Sequence, residues 1–227
     1  MSATEFGDQA ASIAIQITEL PTEEQIAVAC RGSGNPVALT WLAENLRLRD
    51  TSTVVDLGAG IGGPSAWLRS RYGCRITGVE PEEQAAQAAS SIFGLTTIVA
   101  AAEITPFAAD TFDSALLLGV VSVVPGPETV LREARRIART LGLLDYCSTS
   151  NDPVVAGGST FPTPQRLRAI IAVDWRINQF AAVDVDPPDT WAHAGAGVES
   201  KPDPDEAEVV RAIESRSIAP VMLMASR

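Results

Sequence analysis

The 227-residue chain has a single histidine and three cysteines, and these shortages exclude a good deal of chemistry. His193 alone does not build an imidazole-based zinc site. Cys30, Cys74 and Cys147 are widely separated, form no CxxC pair and leave an odd thiol if any two are bridged, which fits a reducing, cytoplasmic setting. None of them has a histidine or acid at metal-ligand spacing, so no metal is expected. Positive charge is also in deficit: 17 Lys and Arg against 28 Asp and Glu give a net charge of -11. Such a field repels a nucleic-acid backbone and an anionic membrane surface. The N-terminus MSATEFGDQA lacks the basic-then-apolar pattern of an export signal. The longest apolar run, Ala115 to Val124, is well short of the ~20 residues of a membrane helix. A soluble, unexported protein with no nucleic-acid or membrane partner is the expectation.

What the chain does have is apolar material for one buried core, with 46% hydrophobic residues and a mean hydropathy of +0.13. Its pattern predicts helices over 10–20 and 22–30, a break at 31–36, and a helix over 37–46. From there strands and helices alternate: a strand over 53–57, a helix to Tyr72, strand 75–79, helix 81–93, strand 97–101, strand 115–121, helix 127–140 and strand 141–148. Alternation of this kind forces right-handed crossovers and a doubly wound, mainly parallel sheet with helices on both faces. Beyond it, NDPVVAGGSTFPTP reads as a surface loop, followed by helix 164–173, strand 177–185, helix 205–215 and a final strand 221–225.

The segment VVDLGAGIGG carries the strongest chemical signal: an apolar strand ending in Asp56 runs into Gly58, Gly60, Gly62 and Gly63 before a helix. Glycines there permit a tight turn and let a ligand touch the backbone at a helix N-terminus. Gly58, Gly60 and Gly63 also satisfy the GxGxxG pattern of dinucleotide binders. Asp56 discriminates between the two ligand classes. Beside a pyrophosphate its carboxylate adds like-charge repulsion of about 1 to 4 kcal/mol, whereas beside an ammonium and a sulfonium it attracts. Glu80, delivered by the second strand about 20 residues further on, stands where both kinds of site place an acid for ribose hydroxyls.

VVDLGAGIGG, then GVEP, then AAEITPFAADTFDSALLLGVV, then VLREARRIART together resemble the class I S-adenosylmethionine-dependent methyltransferase family, over roughly residues 37–148. The resemblance implies a Rossmann-like seven-stranded sheet whose last strand, residues 221–225, is antiparallel. It implies a helical N-terminal extension or lid (1–36) and a methyltransferase domain (37–227) with acceptor-site loops within 149–215. S-adenosyl-L-methionine is the implied cofactor. Asp56, Gly58, Ala59, Gly60 and Gly62 would surround its methionine moiety, Glu80 its ribose diol, Pro81 the adenine face, and Ala102 with Glu103 the adenine edge. Leu118 and Gly119 would floor the site near the methyl group. Two departures stand out: Ala101 replaces a common adenine-binding aspartate, and Thr140-Leu141-Gly142 replaces the usual Pro-Gly-Gly.

The expected activity is in-line methyl transfer to a small-molecule acceptor. Alignment supplies much of the acceleration and a base is optional. His193, in TWAHAGAG, and Tyr146, at the end of the fifth strand beside Asp145, are the candidate catalytic groups. Phe161, Phe180 and Trp191 are candidates for an apolar acceptor cavity. A nicotinamide-dependent oxidoreductase and a non-catalytic S-adenosylmethionine-binding protein of the same fold stay open as alternatives. The oligomeric state is open as well, a homo-oligomer included.

Overall fold

Pleating decides the layers of the molecule: alternate residues of each central strand point to opposite faces, and both faces are covered. The computed structural model describes residues 3–30, 34–182 and 204–227. Along them run α1 (Ala3–Ile17), α2 (Thr22–Ala29), α3 (Pro36–Leu46), β1 (Thr53–Leu57), α4 (Gly63–Tyr72), β2 (Arg75–Glu80), α5 (Glu83–Phe93) and β3 (Thr96–Val99). They continue with β4 (Phe112–Leu118), α6 (Pro127–Ile137), β5 (Ala138–Ser148), β6 (Val154–Ala156), β7 (Ser159–Phe161), α7 (Pro164–Ile171), β8 (Arg176–Ala182), α8 (Pro204–Glu214) and β9 (Ile218–Ser226).

A seven-stranded sheet has the order β3-β2-β1-β4-β5-β9-β8. The first five strands pair in parallel, and β9 inserts antiparallel between β5 and β8. Val54, Leu116, Leu118, Leu144 and Met222 face one layer, packed with Ile13 and Ile17 of α1, Ile26 of α2, Leu39 and Leu42 of α3, Leu68 of α4 and Ala85 of α5. Val55, Leu57, Leu117, Leu143 and Leu223 face the other, against Val130 and Leu131 of α6 and Leu167 and Ile171 of α7. The N-terminal helices thus share a core with the sheet. Strand order reverses at β1, between β2 and β4, which opens a crevice at the carboxyl ends of the parallel strands.

The doubly wound sheet with its antiparallel last strand agrees with the sequence reading, while several boundaries shift for physical reasons. Helix α1 ends at Ile17 rather than Leu20, because the Gln25 side chain donates to the carbonyls of Ile17 (2.9 Å) and Thr18 (3.1 Å). Strand β4 stops at Leu118: Gly119, at φ +77°, turns Val120 and Val121 out of the ladder. The apolar run that suggested a longer strand is buried loop. Helix α6 stops at Ile137, not Thr140, and passes into β5 with no linker, because Ala138 is extended and already pairs with Phe112. The segment read as a surface loop after β5 contains the hairpin β6–β7. Gly157 (φ +56°) and Gly158 (φ +71°) form its two-residue turn, the conformation that a type I′ hairpin requires.

Candidate functional site

Three glycines at positive φ make the turn after β1: Gly58 (+82°), Gly60 (+54°) and Gly62 (+85°). A side chain at Gly58 would be strained and would also meet Val120 Cγ2 at 2.7 Å. The turn is held on β2 by the amides of Gly58 and Ala59, both donating to the Val79 carbonyl (2.8 and 3.0 Å).

The helix that follows has a covered N-terminus. A Cβ on Gly63 would lie 2.4 Å from the carbonyl carbon of Ala29 and 2.5 Å from the amide nitrogen of Cys30, so the end of α2 rests directly on the first turn of α4. Gly62, Gly63, Pro64 and Ser65 are all buried, and Pro64 has no N–H to offer. A helix start that receives a phosphate needs open amides. At this one the first turn is buried, and the partial negative charge of the α2 C-terminus faces it.

Asp56, at 1% exposure, is the most confined acid of the crevice. Its Oδ2 accepts a hydrogen bond from the Ser65 hydroxyl at 2.6 Å, while Oδ1 has no partner among the described residues. Burial raises its pKa from the ordinary 3.8 to about 6; the Ser65 bond opposes the shift and the Glu80 charge adds to it. Glu80 closes the neighbouring strand. Its Oε2 accepts from the Gly60 amide (2.8 Å) and its Oε1 from the Glu82 amide (3.0 Å). Burial raises its pKa as well, against those two backbone bonds.

Pro81 is exposed next to Glu80, and Ala100 donates to the Glu80 carbonyl (3.2 Å), so the ends of β2 and β3 stay together. Beyond β3, Ala102 is buried in the same core cluster as Leu57 and Val79, and Glu103 is half-buried. Leu118 and Gly119 end β4, where the Gly119 amide donates to the Leu144 carbonyl at 2.7 Å. Asp56, Gly58 to Gly62, Glu80, Pro81, Ala102, Glu103, Leu118 and Gly119 thereby come together along one edge of four adjacent strands.

The proposed catalytic groups are placed differently. Tyr146 lies two residues beyond the last β4–β5 pair, and its ring packs edge-on to Phe161 at 6.4 Å, with Ala156, Ala212 and Ile218 around it. Burial and then the neighbouring Asp145 charge raise its phenol pKa above 10.0. A phenol held that way is poorly suited to act as a base near neutral pH. Phe180 is on the other side of the sheet from Tyr146, beneath the Arg168 guanidinium at 4.4 Å, so Phe161 and Phe180 do not share a cavity. His193 and Trp191 lie outside the described residues.

Several participants carry no readable signal in the sequence. Phe6 of α1 lies across the turn, with its Cζ 3.7 Å from where a Gly60 side chain would start, and Gly7 packs against the Glu82 carboxylate. Ser65, the partner of Asp56, and the Ala29–Cys30 backbone belong to elements whose approach no local pattern announces. The three cysteines are free thiols, and no cluster of metal-ligating side chains occurs among the described residues. No helix among them is long and apolar enough to cross a membrane.

Residues 55–144 match a family described as a methyltransferase domain. No curated protein matches the chain by sequence. Among solved structures, the (4+2)-cyclase SpnF superposes with a TM-score of 0.76 at 16% identity, covering 100% of this chain and 97% of SpnF. The geranyl diphosphate C-methyltransferase from Streptomyces coelicolor A3(2), crystallised with Mg2+, geranyl diphosphate and S-adenosyl-L-homocysteine, gives 0.66 at 17% identity over 84% of this chain and 78% of the enzyme. The MccD protein gives 0.67 at 12% identity over 85% and 97%. The fold is the Rossmann-like fold of the class I S-adenosylmethionine-dependent methyltransferases.

Proposed function

We propose that the chain binds S-adenosyl-L-methionine in the carboxyl-edge crevice and transfers its methyl group to a small-molecule acceptor by in-line displacement. The observation that carries this reading is the partnerless buried oxygen of Asp56. An unsatisfied buried acceptor costs about 1 to 3 kcal/mol, more when charged, and an ammonium donor offsets that cost. Bound there, the cofactor supplies a methyl group on a sulfonium that is already a good leaving group.

The chain's own work is holding and aligning. Gly58, Ala59, Gly60 and Gly62 line the methionine portion with backbone alone, and Asp56 attracts its positive charge. Each Glu80 oxygen accepts one backbone N–H and keeps a further lone pair for a ribose hydroxyl. Pro81 packs on the adenine, Ala102 and Glu103 meet its edge, and Leu118 with Gly119 lies near the methyl group. The geranyl diphosphate methyltransferase, whose fold this chain shares, was crystallised with S-adenosyl-L-homocysteine and a small-molecule acceptor, which supports both halves of the reading. A nicotinamide dinucleotide is disfavoured, because the start of α4 is covered by α2 and an acid stands beside it.

A second reading keeps the cofactor but not the transfer. It is favoured by the fit over nearly the whole length of SpnF, a cyclase, and by the withdrawal of Tyr146 into an apolar cluster. Fold alone does not fix the chemistry. Calorimetric titration of S-adenosylhomocysteine into the wild type and Asp56→Ala tests the binding step. Tight binding to the wild type and weak binding to the variant are expected, and no binding to the wild type removes the proposal. Methyl transfer from labelled cofactor to any acceptor in a metabolite screen then separates the two readings.

A further inference from the structure

We propose that Asp145 is a positioning residue for this cofactor site: from β5 its carboxylate fixes the Val120–Ser122 turn, and through Val120 it sets the wall that lies on Gly58. The inference rests on the cofactor reading above. Asp145 is 2% exposed, on the strand face that otherwise carries Leu143 and Cys147. An apolar residue would fill that place without desolvating a carboxylate, so the acid calls for a use.

Its bonds supply one. Asp145 Oδ2 accepts from the Ser122 amide at 3.2 Å, and Oδ1 accepts from the Tyr146 amide at 2.8 Å. Ser122 lies within a tight turn in which the amides of Val123 and Val124 both donate to the Val120 carbonyl at 3.1 Å. Val120 is only 5% exposed and occupies the space that a side chain on Gly58 would need. Gly119, at φ +77°, gives the segment its sharp exit from β4 and leaves the turn without strand pairing of its own. Asp145 therefore replaces a ladder bond with a directed one. The same turn also reaches the hairpin, since Thr160 donates to the Ser122 carbonyl at 3.0 Å. The wall beside the glycine turn is in this way tied both to β5 and to the segment that follows it.

The test is a double-mutant cycle read in S-adenosylhomocysteine affinity by calorimetry, on wild type, Asp145→Asn, Val120→Ala and the pair. Asn keeps the size but turns one accepting oxygen into an N–H2 that faces an amide donor. About tenfold weaker binding is expected for Asp145→Asn and a smaller loss for Val120→Ala, with a coupling of about threefold or more between them. A merely structural acid would lower thermal stability and leave the two affinity effects independent. Affinity of Asp145→Asn within twofold of wild type, or additive effects, overturns the proposal while leaving the cofactor reading intact. A wild type that does not bind overturns both. If Asp145→Asn fails to fold, Val120→Ala decides alone, and unchanged affinity there sinks the idea.

Discussion

The glycine turn after β1 and the segment after β5 meet at the same edge of the sheet but are built by different means. In the turn, shape is written into backbone: three residues at positive φ and a helix start that only glycine can bring beneath Ala29, beside one buried acid with a free oxygen. In the later segment, side chains bring the elements together. Tyr146 packs edge-on to Phe161, Glu208 accepts from the Gly157 amide at 2.7 Å, and Asp145 holds a turn from another strand. Backbone constraints leave few acceptable residues at each position, whereas side-chain contacts can be made by many combinations. The first region therefore tolerates change badly, and the second admits variation in what it covers.

Substitutions can break that comparison, and Gly63→Ala is the most severe. The added methyl meets backbone rather than a movable side-chain end, so α2 must shift, and about 3 kcal/mol of stability should be lost in urea denaturation. A loss below about 1 kcal/mol would show that α2 is not pressed on the turn.

Asp56 comes next, through pH. Its folded pKa is raised, so its contribution to stability is full below 3.8 and is lost as pH rises through about 6. The ligand-free protein should lose up to about 3 kcal/mol from this group between pH 4 and pH 7, and Asp56→Asn should remove that slope. S-adenosylhomocysteine affinity should run the opposite way, strengthening as the carboxylate ionises. Parallel pH trends for stability and affinity would contradict the proposed role of the free oxygen.

Glu133 provides the contrast of an acid that is fully partnered. The Arg136 side chain, together with the Thr105 hydroxyl and amide, holds its pKa at about 2, against the cost of burial. Its contribution is present above 4.5 and lost as pH falls toward 2. Glu133→Gln should cost about 2 kcal/mol at pH 7, measured by denaturant unfolding, and leave cofactor affinity unchanged. The smallest effect belongs to Gly158→Asn in the hairpin. Nothing lies within 4 Å of where its Cβ would stand and Asn tolerates positive φ, so the thermal midpoint should correspond to a change of under about 0.5 kcal/mol. A larger change would show that the later segment is as constrained as the turn.

The legible parts of the molecule were those with local causes. The β1 turn, Glu80 at the end of β2 and the alternation of elements are written in glycine conformational needs and hydrophobic period, and they appear at the predicted positions. Boundaries moved where one local cause met a distant one. Val120 and Val121 are as apolar as a buried strand, yet Gly119 takes them out of it. Thr140 continues a helical pattern, yet pairing with β4 claims the chain from Ala138 onward. The hairpin at Gly157-Gly158 did have a local signal, two glycines between short β-branched runs, which was outweighed by the surrounding prolines.

By itself the sequence determined a doubly wound domain with a glycine turn and an acid at the end of its first strand, because φ angles, pleat alternation and the sign of a charge are properties of single residues and near neighbours. Only the tertiary structure decided that Asp56 keeps one oxygen free while Ser65 takes the other, and that α2 seals the start of α4. It also decided that Tyr146 turns to Phe161 and that Asp145 reaches across to Ser122. Those are contacts between elements far apart in the chain, and their geometry exists only once the sheet has brought the elements together.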